Sequence, residues 1–532
     1  MNRRFLPRTL AAALAVGLSL TPMAAGAQAQ TLRWASQGDP QTMDPHSQNE
    51  SMTNMMNGQV YETLVLRDRQ LEIVPGLATS WQSTGPLSWR FKLRPGVKFH
   101  DGSPFTADDV VFSVERAKSP TSQVAAYATA LGEVKKIDAM TVEFVMSKPN
   151  PVFMEHLNSI FIMSKGWSEK NRVLKPLSFK DKEETYASLN ANGTGPYVLV
   201  SRQPGVKTTY KRNPAWWGKF EGNVQEIVYN QISNDATRLA ALISGEIDFV
   251  LDPAPRDVAR LRTTSGVKVI DGPENRVIYI GMDQARDTLL YGKSPDGKNP
   301  FKDLRVRKAL YQAIDIETIK TKLMNNQSAP TAVLVPSPKA YYFDKELDTR
   351  LPFDVSKAKA LMAEAGYPNG FEVTLDCPNN RYINDEEICI ALAAMWKKID
   401  VTVRVNAMPR ATYFPKTEKM DTSLYMFGWG GAVTDAETTF TPIYRNRGTN
   451  GVGEYNRGNY KDDKLDAMAA ASTVETDPKK REALVKGVFR EHNAQVHHIP
   501  LHRQFIPWAA RSNVDVAHRA DNWLEASWIT VK

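Results

Sequence analysis

The chain has 532 residues, a formal net charge of +8, only two cysteines, eleven Trp and eighteen Tyr. Hydrophobic cores stop growing near about 250–300 residues, so at least two lobes are required. The charge is modest for the length, and no basic tract carries interleaved aromatics, which argues against nucleic acid as a partner.

Residues 1–29 read as an export signal rather than as part of the fold. Arg3, Arg4 and Arg8 make a positive start, Leu10–Leu20 is apolar, and Ala27-Gln28-Ala29 is an A-x-A cleavage site. The apolar run is shorter than the ~20 residues a membrane span needs. No cysteine at the cleavage site offers a lipid attachment point. The expected product is a periplasmic protein cleaved after Ala29, with net charge +5 once the three arginines are gone. In an oxidising compartment, the lone close pair Cys377 and Cys389 favours a disulfide over two buried thiols.

Thr31 onward reads as a strand followed by a Pro-rich turn containing Gln41-Thr42-Met43-Asp44. From Trp89 to Arg116, Trp89, Phe91 and Leu93 alternate until Arg94-Pro95-Gly96 stops the strand. Thr106 then caps a helix with Asp109 as its acidic partner, and Val110, Val111, Val114 and the Arg116 stem form the inner face. Val142, Phe144 and Met146 alternate as a strand. Asp235 is the expected N-cap of a helix that buries Leu239, Leu242 and Ile243 and stops at Gly245. Ala358, Leu361, Met362 and Ala365 give the i, i+3, i+4, i+7 spacing of a helix ended by Gly366, and a strand follows. A long helix through Met395-Trp396 and the alternating valines 401, 403 and 405 continue an α/β pattern.

No P-loop, G-x-S-x-G, H-E-x-x-H or G-x-G-x-x-G motif is found, and no enzymatic activity or cofactor is expected. Asp108-Asp109 and Asp462-Asp463 sit at helix starts, where they answer the helix dipole. His497-His498 has no companion cluster at ligand spacing, so no metal site is expected.

The segment WRFKLRPGVKFHDGSPFTADDVVFSVER resembles the signature of the extracytoplasmic solute-binding proteins of the peptide and nickel type, family 5. The elements RNPAWWG, KNPFKDLRVRKALYQAID, DVSKAKALMAEAGYPNG and EYNRGNYKDDKLDAM also match, in family order. The resemblance implies a two-lobed α/β periplasmic binding protein fold. Lobe I would take residues 30–272 with 73–194 as an extra subdomain, lobe II 273–502, and 503–532 would return to lobe I. It also implies a monomer that captures a short peptide or modified amino acid and delivers it to an inner-membrane ABC permease. An opine, a glutathione-like compound, an oligosaccharide, haem or a nickel chelate are alternatives on the same fold. A hydrolase, or a chaperone-like binder of unfolded chains, is the alternative of another class.

By the same resemblance, the Gly-Trp segment supplies Trp429, Gly430, Gly431 and Ala432 to the cleft, its glycines letting a ligand lie against the backbone. Arg381 would clasp a carboxylate beside Tyr382, in a loop held between the two cysteines. Thr42 and Met43 would form the first lobe's cleft-facing turn, although Asp44-Pro45 also suits a plain turn start. Peptide binders of the family hold the ligand ammonium with an Asp where this chain has Ala432. Asp435, with Glu437 close behind, is the expected replacement.

Overall fold

A computed structural model describes residues 1, 30–181, 183–270, 272–335, 343–430 and 435–532. The expected leader (except Met1), Gly431 and Ala432 lie outside the described residues. No helix among the described residues is long and apolar enough to cross a membrane.

Two seven-stranded mixed sheets organise the chain. In the first, the order is 267–270, 508–511, 249–250, 31–36, 226–231, 207–212, 197–203. Strand Thr31–Ser36 runs parallel to Glu226–Gln231 and to Phe249–Val250; Leu32 and residues 34–36 are buried, while Arg33 is exposed. Leu32 and Trp34 pack with Tyr229, Phe249 and Trp508, whereas Ala35 joins Leu239, Leu242 and Val250. A strand covered on both sides keeps its apolar residues nearly continuous.

The second sheet runs 292–293, 372–378, 424–430, 273–282, 498–505, 328–330, with 402–408 added beside 372–378. The chain passes between sheets between Ile270 and Pro273, and again between Phe505 and Trp508. Arg503 and Phe505 still pair with Val277 and Pro273 in the second sheet.

A four-stranded antiparallel sheet (78–85, 88–93, 141–145, 133–138) and helix Ala107–Ala117 enclose a separate core around Phe91, Phe144, Phe153, Val110 and Val114. Thr106 and Asp109 form the expected capping box, with Asp109 Oδ2 accepting from Thr106 N at 2.9 Å. Arg116 contributes more than its stem, since its guanidinium is fully buried against Asp44 at 2.6 Å. The N-cap of helix Asp235–Ser244 is Asn234, which accepts from Thr237 N at 3.0 Å, and not Asp235. Asp235 instead pairs with Arg238 and Arg256. Gly245 ends that helix with φ of 84°, a conformation that a Cβ would strain.

Cys377 on strand 372–378 and Cys389 on helix Asp385–Lys397 form a disulfide. It flanks the loop Asn379–Asn384, whose backbone is held by Asp385. That carboxyl accepts from the main-chain N–H of Arg381 at 2.9 Å and of Tyr382 at 3.0 Å. Burial pushes Asp385 up to about 7 despite these donors.

Candidate interlobe solute site

A cavity of about 270 Å³ is walled by residues of both lobes. This is near the lower end of the ~300–1,000 Å³ typical of ligand pockets. First-lobe residues on its wall include Glu50, Tyr61, Glu62, Phe161, Trp523 and Trp528. The second lobe contributes Arg276, Arg381, Tyr382, Phe427, Trp429 and Arg457.

Trp429, Gly430, Arg381 and Tyr382 all reach this wall, as the sequence leads one to expect. Strand Leu424–Gly430 delivers the tryptophan, whose indole N–H donates to Thr438 O at 3.0 Å while its ring sits 4.8 Å from Tyr455. Tyr382 is buried, and its hydroxyl accepts from Gly428 N at 2.9 Å. Gly428 leaves room for that ring, since a Cβ there would lie 2.6 Å from it. The glycine at 430 is required by the Asn275 carbonyl of the neighbouring strand, a packing reason rather than a ligand.

Three expectations are corrected, at Thr42 and Met43, at Asp435 and at Glu437. Thr42 and Met43 do not line the cavity: both are buried in the first lobe, where Thr42 Oγ1 accepts from Asp44 N and Met43 joins the core. Their turn exists to place Asp44 on Arg116. Asp435 does not line it either, because Arg481 holds both its oxygens, at 2.7 and 2.8 Å. Glu437 is likewise engaged, 2.6 Å from His156 Nε2 across the lobe boundary. Arg381 is neutralised before any ligand arrives, with Nε 2.7 Å from Glu50 Oε1. Arg410 Nη2 approaches the other Glu50 oxygen at 3.2 Å.

Glu50 is a residue that sequence reasoning missed. It N-caps helix Ser51–Asn57, accepting from Met52 N at 3.1 Å and Thr53 N at 3.0 Å. Burial works against its charge, yet Arg381, Arg410 and those two N–H groups together bring it down to about 2. Glutamate is not among the preferred capping residues, and that oddity is the signal for its second task.

Further bridges join the lobes. Arg276 Nη2 donates to Ser51 Oγ at 2.6 Å, and Gln123 Nε2 to Glu418 Oε2 at 2.8 Å. Three cavity carboxylates, Glu62, Glu418 and Glu525, have no cationic nitrogen within 4.0 Å among the described residues. Glu62 takes the indole N–H of Trp216 at 3.0 Å and of Trp217 at 2.8 Å, with Thr194 Oγ1 at 2.7 Å. Burial nevertheless pushes it up to about 7. Glu418 and Glu525 are raised for the same reason.

No group of three or more His, Cys, Asp or Glu side chains suited to a metal ion occurs among the described residues. His497 stacks on Tyr460 and lies 3.0 Å from Asp462, and burial lowers it to about 4.

Residues 72–451 match the family model for bacterial extracellular solute-binding proteins, family 5 Middle. The chain belongs to family 5 of these solute-binding proteins. Among its relatives, the dipeptide-binding protein of Escherichia coli (strain K12) is 28% identical over 477 residues, covering 84% of this chain and 85% of that protein. Heme-binding protein A of Haemophilus influenzae is 28% identical over 460 residues, covering 81% and 79%. The periplasmic binding protein from Helicobacter pylori solved with the peptide STSA superimposes with a TM-score of 0.81 at 23% identity, over 93% of this chain and 98% of that one. The fold of this family 5 protein is thus the two-lobed periplasmic binding protein fold. Members of family 5 are extracytoplasmic binding components that work with ABC permeases, not enzymes.

Proposed function

We propose that this family 5 protein captures a short peptide or peptide-like modified amino acid between its lobes and passes it to an inner-membrane ABC permease. The observation that carries the reading is a small cavity walled by both lobes, with Trp429, Tyr382 and Trp523 as apolar faces and charged groups of both signs among them. A solute touching both walls favours the closed form over the open one, which is the differential affinity that ligand-driven closure needs. Glu62, Glu418 and Glu525 offer places for an ammonium that Asp435 cannot meet. The dipeptide binder and the STSA-bound neighbour support a peptide-class solute.

The mature protein on this reading is a periplasmic monomer starting at Gln30, with lobes divided near residues 271–273 and 506–507. Native mass spectrometry of the protein from its own periplasm tests these points together. A single-chain mass starting at Gln30 that releases a peptide or amino-acid derivative supports the reading. A sugar, a haem or a metal chelate as the released solute overturns its substrate class, and a dimer overturns the monomer.

A further inference from the structure

Five arginines stand on the cavity wall, and four of them are matched to carboxylates. Arg67 pairs with Glu155, Arg276 with Glu274, Arg381 with Glu50, and Arg519 with Asp521. Arg457 has no carboxylate oxygen within 4.0 Å among the described residues. It is 4% exposed, and its Nε has no hydrogen-bond partner; Arg381 Nε has none either, but it lies 2.7 Å from Glu50 Oε1, whereas Arg457 has no carboxylate beside it. Its one side-chain hydrogen bond runs from Nη1 to the main-chain oxygen of Glu418 at 3.5 Å, the outer limit of such a bond. Its guanidinium lies 4.7 Å from the Tyr455 ring, the same ring that touches Trp429.

We propose that Arg457, not Arg381, is the guanidinium that receives the solute's carboxylate. A buried cation without a partner is costly, and Arg457 stands on the cavity wall. Glu418 and Glu454 feel its charge but do not supply that partner. Burial pushes both up, and Glu454, at about 7, gives up part of its negative charge near neutrality. Glu418 is besides turned toward Gln123 of the first lobe. A carboxylate brought by the solute can take two parallel hydrogen bonds from a guanidinium fork. The position falls in the segment EYNRGNY, which sequence comparison read only as a family match.

This inference rests on the cavity being the solute site, and the test separates the two. A casein peptone, a mixture of short peptides, is offered to the purified protein in free-acid and methyl-esterified form. Retained peptides are identified by mass spectrometry, with wild type, Arg457→Met, Arg457→Lys and Arg381→Met compared. The expected result is retention of free acids but not esters by wild type. Affinity falls at least about 30-fold in Arg457→Met, the usual effect of removing one side of a buried charge pair, and less in Arg457→Lys and Arg381→Met. Ligand-free Arg457→Met melts no lower than wild type, because the change removes an uncompensated charge; a purely structural arginine gives a lower melting temperature. Equal retention of acids and esters, or undiminished binding by Arg457→Met, overturns the assignment and leaves the peptide reading intact. If wild type holds neither form, the peptide reading falls. The solute released from the periplasmic protein then replaces peptone, and a solute with no acidic group overturns Arg457 as well.

Discussion

Replacing Glu50 by Gln keeps the side-chain length and one capping oxygen but removes the charge shared by Arg381 and Arg410. Taking one partner from a buried ion pair costs roughly 3–5 kcal/mol. Where that cost appears depends on geometry. Glu50 belongs to the first lobe and both arginines to the second, so opening the cleft exposes the arginines to water. The penalty then falls on closure rather than on folding. At 1.4 kcal/mol per tenfold change, the closed-to-open ratio drops by roughly 140- to 3,700-fold. Global stability should fall by about 1 kcal/mol, the usual size of a weakened N-cap. Small-angle scattering reads the first effect as a larger radius of gyration without ligand, and denaturant unfolding reads the second. A Glu50→Gln protein as compact as wild type would refute the reasoning. So would a loss of 3 kcal/mol or more in unfolding with compactness unchanged, since the pair would then stabilise a lobe and not the closed form.

Trp429→Ala should weaken solute binding roughly 30- to 100-fold, the range for a buried aromatic anchor, and Trp429→Phe much less; calorimetric titration distinguishes them. Converting both Cys377 and Cys389 to Ala opens a cross-link of sequence separation 12, which costs about 3 kcal/mol in the chain-entropy model. Denaturant unfolding showing under 1 kcal/mol would mean that the loop is held by Asp385 alone. Glu454 is raised to about 7 by burial from an ordinary value of 4.5. Its folded form holds the proton longer than the unfolded chain, so its contribution is full below pH 4.5 and is lost as pH rises to about 7. Melting temperature should decline over that window, one such group giving a slope of up to about 1.4 kcal/mol per pH unit. Glu454→Gln should flatten the curve, and an unchanged slope would count against the shift.

The locally encoded parts of this fold were legible. Alternation at Phe91 and Leu93, the Thr106–Asp109 box and the spacing of Ala358 and Met362 all involve residues within one turn or strand of each other. The Gly-Trp segment at the end of strand Leu424–Gly430 was legible only through the family resemblance. What the sequence hid were pairings across long separations. Glu50 meets Arg381 from 331 positions away, and Glu437 meets His156 from 281. Nothing local distinguishes Asp435, which is spoken for by Arg481, from a carboxylate free to hold an ammonium. Thr42 and Met43 were misplaced for a related reason: their turn looked cleft-facing until its Asp44 was found beneath Arg116.

The same pairings bear on why closure should need a solute. Glu50–Arg381, His156–Glu437, Ser51–Arg276 and Gln123–Glu418 all bridge the lobes, and each can be exchanged for water when the cleft opens. Such exchanges leave about 1.5–3 kcal/mol net per hydrogen bond to a charged group, so that no single bridge fixes the closed form. Arg457 works in the opposite direction: open, its guanidinium is hydrated; closed and empty, it keeps one side without a partner. A carboxylate-bearing solute removes that penalty only in the closed form. If so, Arg457→Met should be more compact than wild type without solute and should respond less when solute is added. Scattering that shows both proteins equally open when empty would mean that the bridges alone set the equilibrium, and that Arg457 has no part in making closure depend on the solute.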